Sequence, residues 1–124
     1  MEAYIYDKLT DNLIRLRTKF SGFVNAPFTT DEVIKELENV RMYIEKFAQD
    51  GEKEVLLYCI DTLFEIIGDG ENEKAFEFCD AVHNISELFC QDNWDKKQYM
   101  KIYIKPFRRK YGKEYFKSIE YFFE

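Results

Sequence analysis

The chain has 124 residues, of which 46% are hydrophobic and 34% charged, and its formal net charge is −6. This composition excludes a disordered or low-complexity chain, and the length suits a single domain, residues 1–124. Residues 1–10 show no positively charged start followed by an apolar run. We therefore expect no signal peptide and a cytoplasmic location.

The first part of the chain predicts two helices joined by a loop. Apolar residues recur at helical spacing from Glu2 to Phe20, and residues 21–28 have the composition of a loop. Thr29 stands three residues before Glu32, which is the spacing of a capping box at a helix start. The helix that follows is expected to end near Asp50. Its predicted core face is Val33, Leu37, Val40, Ile44 and Phe47. Its predicted solvated face is Lys35, Glu38, Arg41 and Glu45.

The stretch Val55–Ile67 predicts a helix that is hydrophobic on nearly every side. A narrow stripe of four residues can face water: Glu54, Tyr58, Asp61 and Glu65. Such a helix has to be covered by other helices, so we expect it in the middle of the domain. It is too short, and too interrupted by acidic residues, to span a bilayer.

A tight turn at 68–70 should lead into a further helix over about Asn72–Gln91. Its predicted core face is Ala75, Phe78, Cys79, Val82, Ile85 and Phe89. A second stripe lies beside it: Phe76, Asp80, His83, Glu87 and Cys90. The chain has three cysteines and no C-x-x-C spacing, and each lies in an apolar helical run. We therefore expect Cys59, Cys79 and Cys90 to be buried free thiols.

The C-terminal part is ambiguous between helix and strand. Met100–Lys105 alternates apolar and polar residues like a strand, but a lone strand would leave its backbone groups unpaired. We therefore expect a helix, capped by Asp92 or Asn93 and starting near Trp94, with a break or kink near Pro106. After Gly112, a last helix over Lys113–Phe123 should bury Phe116, Ile119 and Phe123. The predicted fold is an all-α bundle of five or six mostly antiparallel helices.

Charge is distributed unevenly along the chain. Residues 50–92 contain twelve acids and two bases, whereas residues 95–124 contain nine bases and four acids. Fields of opposite sign should therefore act on different parts of the surface, which affects the choice of partner. We predict that the acidic helical hairpin binds another protein with a basic surface. The predicted contact residues are Tyr58, Asp61, Glu65, Glu73, Phe76, Glu77 and Asp80.

One alternative is a metal site or a metal-dependent enzyme on the stripe Asp80, His83 and Glu87. That spacing could supply three metal ligands, or a carboxylate–imidazole pair for acid–base work. However, His83 is the only histidine, and helical di-metal sites use two. The chain also lacks a Gly-rich phosphate loop and the sharp turn of a nucleophilic serine. We therefore expect no enzymatic activity, no metal and no cofactor.

A second alternative is a nucleic-acid contact through Arg108, Arg109 and Lys110. Between residues 97 and 111, Lys and Arg residues alternate with aromatic residues. Nucleic-acid-binding proteins use this mixture, because the cations contact phosphates and the rings stack on nucleobases. The negative charge of the whole chain argues against this alternative. A basic amphipathic segment, whose rings enter the core and whose charges pair with the acidic hairpin, explains the same pattern.

Two motifs resemble those of small helical bacterial proteins that are uncharacterised or of toxin-immunity type. The first is AFEFCDAVHNISELF at 75–89, in which Asp80, Ala81, His83, Asn84 and Ile85 match the family's helix. The second is YIKPFRRKYGKEYF at 103–116, in which Lys105–Arg108 and Lys110–Gly112 match its C-terminal segment. The resemblance covers about a quarter of the chain and includes no catalytic motif. It implies a non-enzymatic protein that binds or blocks another protein, and it leaves the partner and the oligomeric state open.

Overall fold

The computed structural model describes residues 11, 30–48, 51–88 and 95–124, and these are arranged in helices and turns without a strand. Three long helices come first, α1 (Thr30–Phe47), α2 (Glu52–Gly68) and α3 (Asn72–Leu88). The C-terminal part consists of α4 (Lys96–Tyr99), a π turn (Met100–Ile104), α5 (Lys105–Tyr111) and a 3-10 helix (Lys117–Phe123). The all-α class is thereby confirmed, whereas the antiparallel order of the helices stays a prediction. The predicted helix at 2–20, the loop at 21–28 and the Thr29 cap lie outside the described residues.

Helix α2 is buried as its sequence predicts. The side chains of Val55, Leu56, Cys59, Ile60 and Leu63 have no exposed surface, and α1, α3 and the 3-10 helix all pack against α2. The predicted stripe faces outward, since Glu54, Asp61 and Glu65 are exposed and Tyr58 is half-buried. The central position of Val55–Ile67 among the described helices is therefore confirmed.

Helix α1 buries Val33, Leu37, Val40 and Ile44, as predicted. Phe47 was expected on the same face, and this was wrong, because its side chain is 39% exposed and the helix ends there. Its ring packs on Tyr43 with 4.8 Å between the centroids. Ala48, the next residue, takes the buried position instead.

The C-terminal part is helical, but its details correct the sequence analysis. Helix α4 begins after Asp95, whose carboxylate accepts from the backbone N–H of Lys97 at 3.0 Å. The chain does not break at Pro106. It passes through the π turn directly into α5, with Pro106 in the first turn, where a missing N–H costs little. The predicted cap residues 92 and 93 and the predicted start at residue 94 lie outside the described residues.

The predicted last helix over Lys113–Phe123 was wrong in its start and its type. Gly112 ends α5 with φ 140°, residues 113–116 form a turn, and the 3-10 helix begins only at Lys117. The interruption lies at Phe116, whose φ of 64° is left-handed and cannot continue a right-handed helix. The apolar spacing was nevertheless informative, because Phe116, Ile119 and Phe123 are all buried.

The turn between α2 and α3 is a Schellman motif. The N–H of Glu71 donates to the carbonyl of Ile66 at 3.3 Å, and the N–H of Gly70 donates to that of Ile67 at 3.0 Å. Gly70 has φ 75° and an open environment, so a methyl group there would meet strain but no clash. The requirement for glycine at this position is therefore conformational.

We predict that Gly70→Ala lowers the free energy of unfolding by about 1 kcal/mol, which is the cost of a left-handed alanine. Gly68→Ala is the matched control, because Gly68 is helical and equally open. That variant should be more stable than the wild type by about 0.5 kcal/mol, because alanine loses less backbone entropy on folding. Urea denaturation followed by circular dichroism measures both. Equal effects of the two substitutions would contradict the assignment of the turn.

No helix of the described part of the chain is long and apolar enough to cross a membrane.

Candidate functional site

An acidic cleft opens between α2 and the turn that precedes the 3-10 helix. Its volume is about 490 Å³. The residues that line it are Tyr58, Asp61, Thr62, Glu65, Glu114 and Tyr115. Three of these six side chains are carboxylates and two are phenol rings, and no base is among them. We refer to this site as the acidic cleft.

Helix α2 supplies one wall of the acidic cleft. Tyr58, Asp61, Thr62 and Glu65 recur three and four residues apart, so they lie on one face of the helix, while the opposite face enters the core. The hydroxyl of Thr62 donates to the backbone carbonyl of Tyr58 at 2.8 Å. The rigid, buried part of α2 thus fixes where these four side chains stand.

The other wall, at Glu114 and Tyr115, is held in place by the neighbouring Phe116. The backbone N–H of Phe116 donates to the hydroxyl oxygen of Tyr58 at 2.6 Å. The ring of Phe116 stacks on that of Phe78 in α3, with 5.0 Å between the centroids. Arg108 adds a further contact, because its Nε donates to the carbonyl of Tyr115 at 2.7 Å. The turn around Phe116, whose φ is left-handed, is therefore held by contacts from α2, α3 and α5. A strained backbone conformation persists only where the surrounding structure holds it in this way.

The charges of the acidic cleft are only partly neutralised. Arg41 of α1 donates from Nε to the carboxylate of Asp61 at 2.8 Å, and it also pairs with Glu45. The hydrogen bond that Arg41 donates to Asp61 is the main reason why the pKa of Arg41 is raised. Glu114 lies 3.8 Å from Lys117, and Glu65 has no ion pair within the part of the chain that the structure describes. Glu65, which has no ion pair there, and Glu114, whose ion pair with Lys117 is long and exposed, are the carboxylates that can still attract a cation.

The phenol of Tyr58 stays protonated at neutral pH. Burial disfavours its charged form and raises its pKa, which outweighs the opposing effect of the N–H of Phe116. Tyr58 therefore contributes a ring face and a neutral hydroxyl group to the acidic cleft. The carboxylates supply the negative charge.

Helix α4, the π turn and α5 form one continuous stretch, Lys96–Tyr111, which we call the C-terminal helical segment. A second cleft, of about 330 Å³, lies between α3 and this segment. Phe76, Glu77 and Asp80 line it on the α3 side, and Tyr103 and Lys110 do so on the other. The ammonium group of Lys110 lies 2.8 Å from the carboxylate of Glu77 and 3.0 Å from that of Glu73. These hydrogen bonds, led by the one with Glu77, raise the pKa of Lys110.

Six of the seven predicted contact residues line one of these two clefts. Tyr58, Asp61 and Glu65 share the acidic cleft, whereas Phe76, Glu77 and Asp80 line the second cleft, and no residue lines both. Glu73 and Glu77 are already bonded to a base of the chain itself. The expectation that the basic segment pairs with the acidic hairpin is met at Lys110.

Sequence reasoning missed Thr62, Glu114 and Tyr115 as lining residues. Thr62 lies within the helix that was predicted to be central, next to the exposed stripe, so extending that stripe by one position would have found it. Glu114 and Tyr115 carry no such signal. They reach the acidic cleft because the turn after Gly112 folds back onto α2, which is a long-range contact.

The structure describes the side chains of two of the three predicted metal ligands. Asp80 and His83 are half-buried on α3, and the side chain of Glu87 lies outside the described residues. Among the side chains that the structure describes, no group of three His, Cys, Asp or Glu residues could hold a metal ion. The hypothesis that uses all three residues stays untested.

The three predicted nucleic-acid contacts are also separated. Arg108 and Arg109 line a basic pocket of about 250 Å³ together with Lys105 and Lys113, whereas Lys110 belongs to the second cleft. Arg108 is largely buried and also pairs with Glu120. Of the three, Arg109 is exposed and makes no ion pair within the described residues.

Two of the three cysteines fit the prediction of buried free thiols. Cys59 and Cys79 form no disulfide bond within the described residues and are fully buried, while Cys90 lies outside the described residues. Burial raises the pKa of the Cys59 thiol well above its ordinary value, so this cysteine carries no thiolate at neutral pH. Its contribution to the structure is that of a small apolar side chain.

Comparisons with known proteins do not assign this chain to a family. Neither protein-family models, nor curated proteins, nor solved structures give a significant match to the chain. The resemblance to small helical bacterial proteins of toxin-immunity type thus stays a prediction, and functional reasoning depends on the clefts themselves.

Proposed function

We propose that this protein is a non-enzymatic binding domain whose acidic cleft receives a Lys or Arg side chain from a basic partner protein. The observation that carries the proposal is the lining of the acidic cleft, which combines three carboxylates with two phenol rings and contains no base. Carboxylates form charge-assisted hydrogen bonds with guanidinium and ammonium groups, and ring faces attract the same cations.

The position of the acidic cleft supports this function. One wall of the cleft lies on α2, within residues 50–92, which carry twelve acids and two bases. This excess of negative charge attracts a cationic partner before contact. The α2 wall of the acidic cleft belongs to the core, and hydrogen bonds tie the other wall to Tyr58 of α2 and to Arg108 of α5. A site that is formed before binding loses little conformational entropy when the partner arrives.

A binding domain of this kind acts by covering the basic surface of its partner. An immunity-type role, in which the partner is a toxin, has the same chemistry, and the two sequence motifs given above suggest it. The partner's cation would lie near Glu65 and Glu114, because Asp61 already binds Arg41. We therefore assign the attraction mainly to these two glutamates.

A titration with a small cationic probe tests this assignment. Acetyl-Gly-Arg-Gly-amide is added to isotope-labelled protein, and amide chemical shifts are followed by NMR. We expect saturable shifts at Tyr58, Thr62 and Tyr115. In the variant Glu65→Gln/Glu114→Gln the affinity should fall about fivefold, since each exposed ion pair contributes about 0.5 kcal/mol.

The matched control is Glu38→Gln/Glu124→Gln, which changes the net charge equally at exposed sites away from the acidic cleft. This control should bind the peptide like the wild type. A glutamine peptide, acetyl-Gly-Gln-Gly-amide, should produce no saturable shifts. If both double variants weakened binding equally, the effect would come from overall charge, and the proposed site would be wrong.

A further inference from the structure

The Lys and Arg residues from Lys96 to Lys113 divide into two groups. Some have partners within the chain. Lys96 lies 4.5 Å from the ring centroid of Phe122, Arg108 pairs with Glu120, and Lys110 bonds to Glu73 and Glu77. Five others have exposed side chains that make no ion pair or hydrogen bond within the described ranges: Lys97, Lys101, Lys105, Arg109 and Lys113. We call these five residues the basic ladder.

The basic ladder has a regular spacing of four residues. On a helix this places each charge about 6 Å beyond the previous one. In an ideal α-helix such a row would drift around the axis. The π turn at 100–104 has more residues per turn and so removes part of this drift. The last three residues, Lys105, Arg109 and Lys113, line one basic pocket together with Arg108.

The aromatic rings of this segment are not available to stack on bases. Tyr99 and Phe107 are buried, and the hydroxyl of Tyr99 donates to the carbonyl of Ala81 at 2.5 Å. Tyr103 packs on Tyr99, and Tyr111 packs on Phe107. Recognition of single strands depends on stacking, and the exposed chemistry of this segment is instead mainly positive charge.

We propose that the basic ladder binds the phosphodiester backbone of double-stranded nucleic acid without reading its sequence. From Lys97 to Arg109 the ladder extends over about 18 Å and presents one cation per helical turn, which suits a linear polyanion with regularly repeated charges. Lys113 follows in the turn after Gly112. An anionic membrane is a poorer fit, because interfacial helices insert an apolar face. Among the described exposed large apolar side chains, only Ile102, at 56% exposure, lies on this helical segment.

The net charge of −6 does not prevent such binding. The acidic residues are concentrated between 50 and 92, whereas residues 95–124 carry an excess of five positive charges. At an ionic strength of 0.1 M, charges separated by more than about 10 Å are largely screened from each other. Binding of the duplex therefore depends mainly on the Lys and Arg side chains that contact it.

Fluorescence anisotropy with labelled 24-base-pair duplexes, one of DNA and one of RNA, tests the proposal between 20 and 200 mM salt. For the wild type we expect binding whose logarithmic dependence on salt has a slope of about −4, as four to five phosphate contacts require. The variant Lys101→Gln/Lys105→Gln/Arg109→Gln should bind more than tenfold more weakly at low salt. Its slope should become shallower, between about −1 and −2, because three contacts are lost. Comparing the two duplexes shows which nucleic acid is preferred.

The charge-matched control is Lys35→Gln/Lys46→Gln/Lys53→Gln, which removes three bases from α1 and the start of α2. It should keep the slope of the wild type and bind within about twofold of it. Three results would overturn the proposal: no duplex binding at 20 mM salt, equal losses in the two triple variants, or binding only to vesicles containing phosphatidylserine. Circular dichroism spectra of both variants establish that they are folded.

Discussion

Phe78→Ala is expected to lower the free energy of unfolding by about 3–5 kcal/mol, which is a large part of the stability of a domain this size. Phe78 is fully buried on α3. Its ring lies 5.0 Å from that of Phe116, 5.3 Å from that of Phe107 and 6.3 Å from that of Tyr115. Truncation therefore leaves a cavity where α3, α5 and the turn at 113–116 meet.

Urea denaturation followed by far-ultraviolet circular dichroism measures this loss. Phe47→Ala serves as the matched control, since it removes the same ring from a position that is 39% exposed and packs mainly on Tyr43. It should cost about 1 kcal/mol or less. If Phe78→Ala cost no more than Phe47→Ala, the C-terminal segment would not be packed on α3 as described.

Phe116→Ala is expected to cost about 3–4 kcal/mol, because a fully buried ring that packs on Phe78, Phe107 and Tyr58 is lost. Phe116→Gly removes the same ring but also relieves the left-handed strain at φ 64°. The glycine variant should therefore be more stable than the alanine variant by about 1 kcal/mol. Thermal and urea denaturation of the two variants measure this difference.

At Phe116 the glycine variant is thus expected to be more stable than the alanine variant, which is the reverse of the usual order. Ile119 is the control position, because it is equally buried and belongs to the 3-10 helix. There the usual order should hold, with Ile119→Ala more stable than Ile119→Gly by about 0.5 kcal/mol, since glycine loses more backbone entropy. Finding alanine better than glycine at both positions would contradict the left-handed conformation of Phe116.

Local periodicity was sufficient to predict the three long helices α1, α2 and α3 and much of the core. The apolar stretch 55–67 allowed only one arrangement, because almost every direction around a helix was hydrophobic, and α2 is accordingly buried. The spacing of Phe116, Ile119 and Phe123 predicted their burial even though the segment is not an α-helix. Hydrophobic spacing thus indicates which side chains are buried more reliably than it indicates the type of helix.

The contacts that create the clefts could not be predicted in the same way. Tyr58 and Phe116 are 58 positions apart, and Lys110 is 33 positions from Glu77, so no local pattern connects them. The predicted acidic surface assumed that carboxylates on α2 and α3 face the same way. The structure instead places Lys110 against the carboxylates of α3 and the turn at Glu114–Tyr115 beside those of α2. Tertiary packing decided which charges stay available.

The acidic cleft exists only if the segment around Phe116 is held against α2. Amide hydrogen exchange of Phe116, measured by NMR in the wild type and in Tyr58→Phe, tests this contact. We expect a protected amide in the wild type and clearly faster exchange in Tyr58→Phe, with unchanged protection at Leu63 in the middle of α2, because the variant removes only the oxygen that accepts from Phe116. A Phe116 amide that already exchanges in the wild type at the rate of an unfolded peptide would contradict the cleft and the function proposed for it.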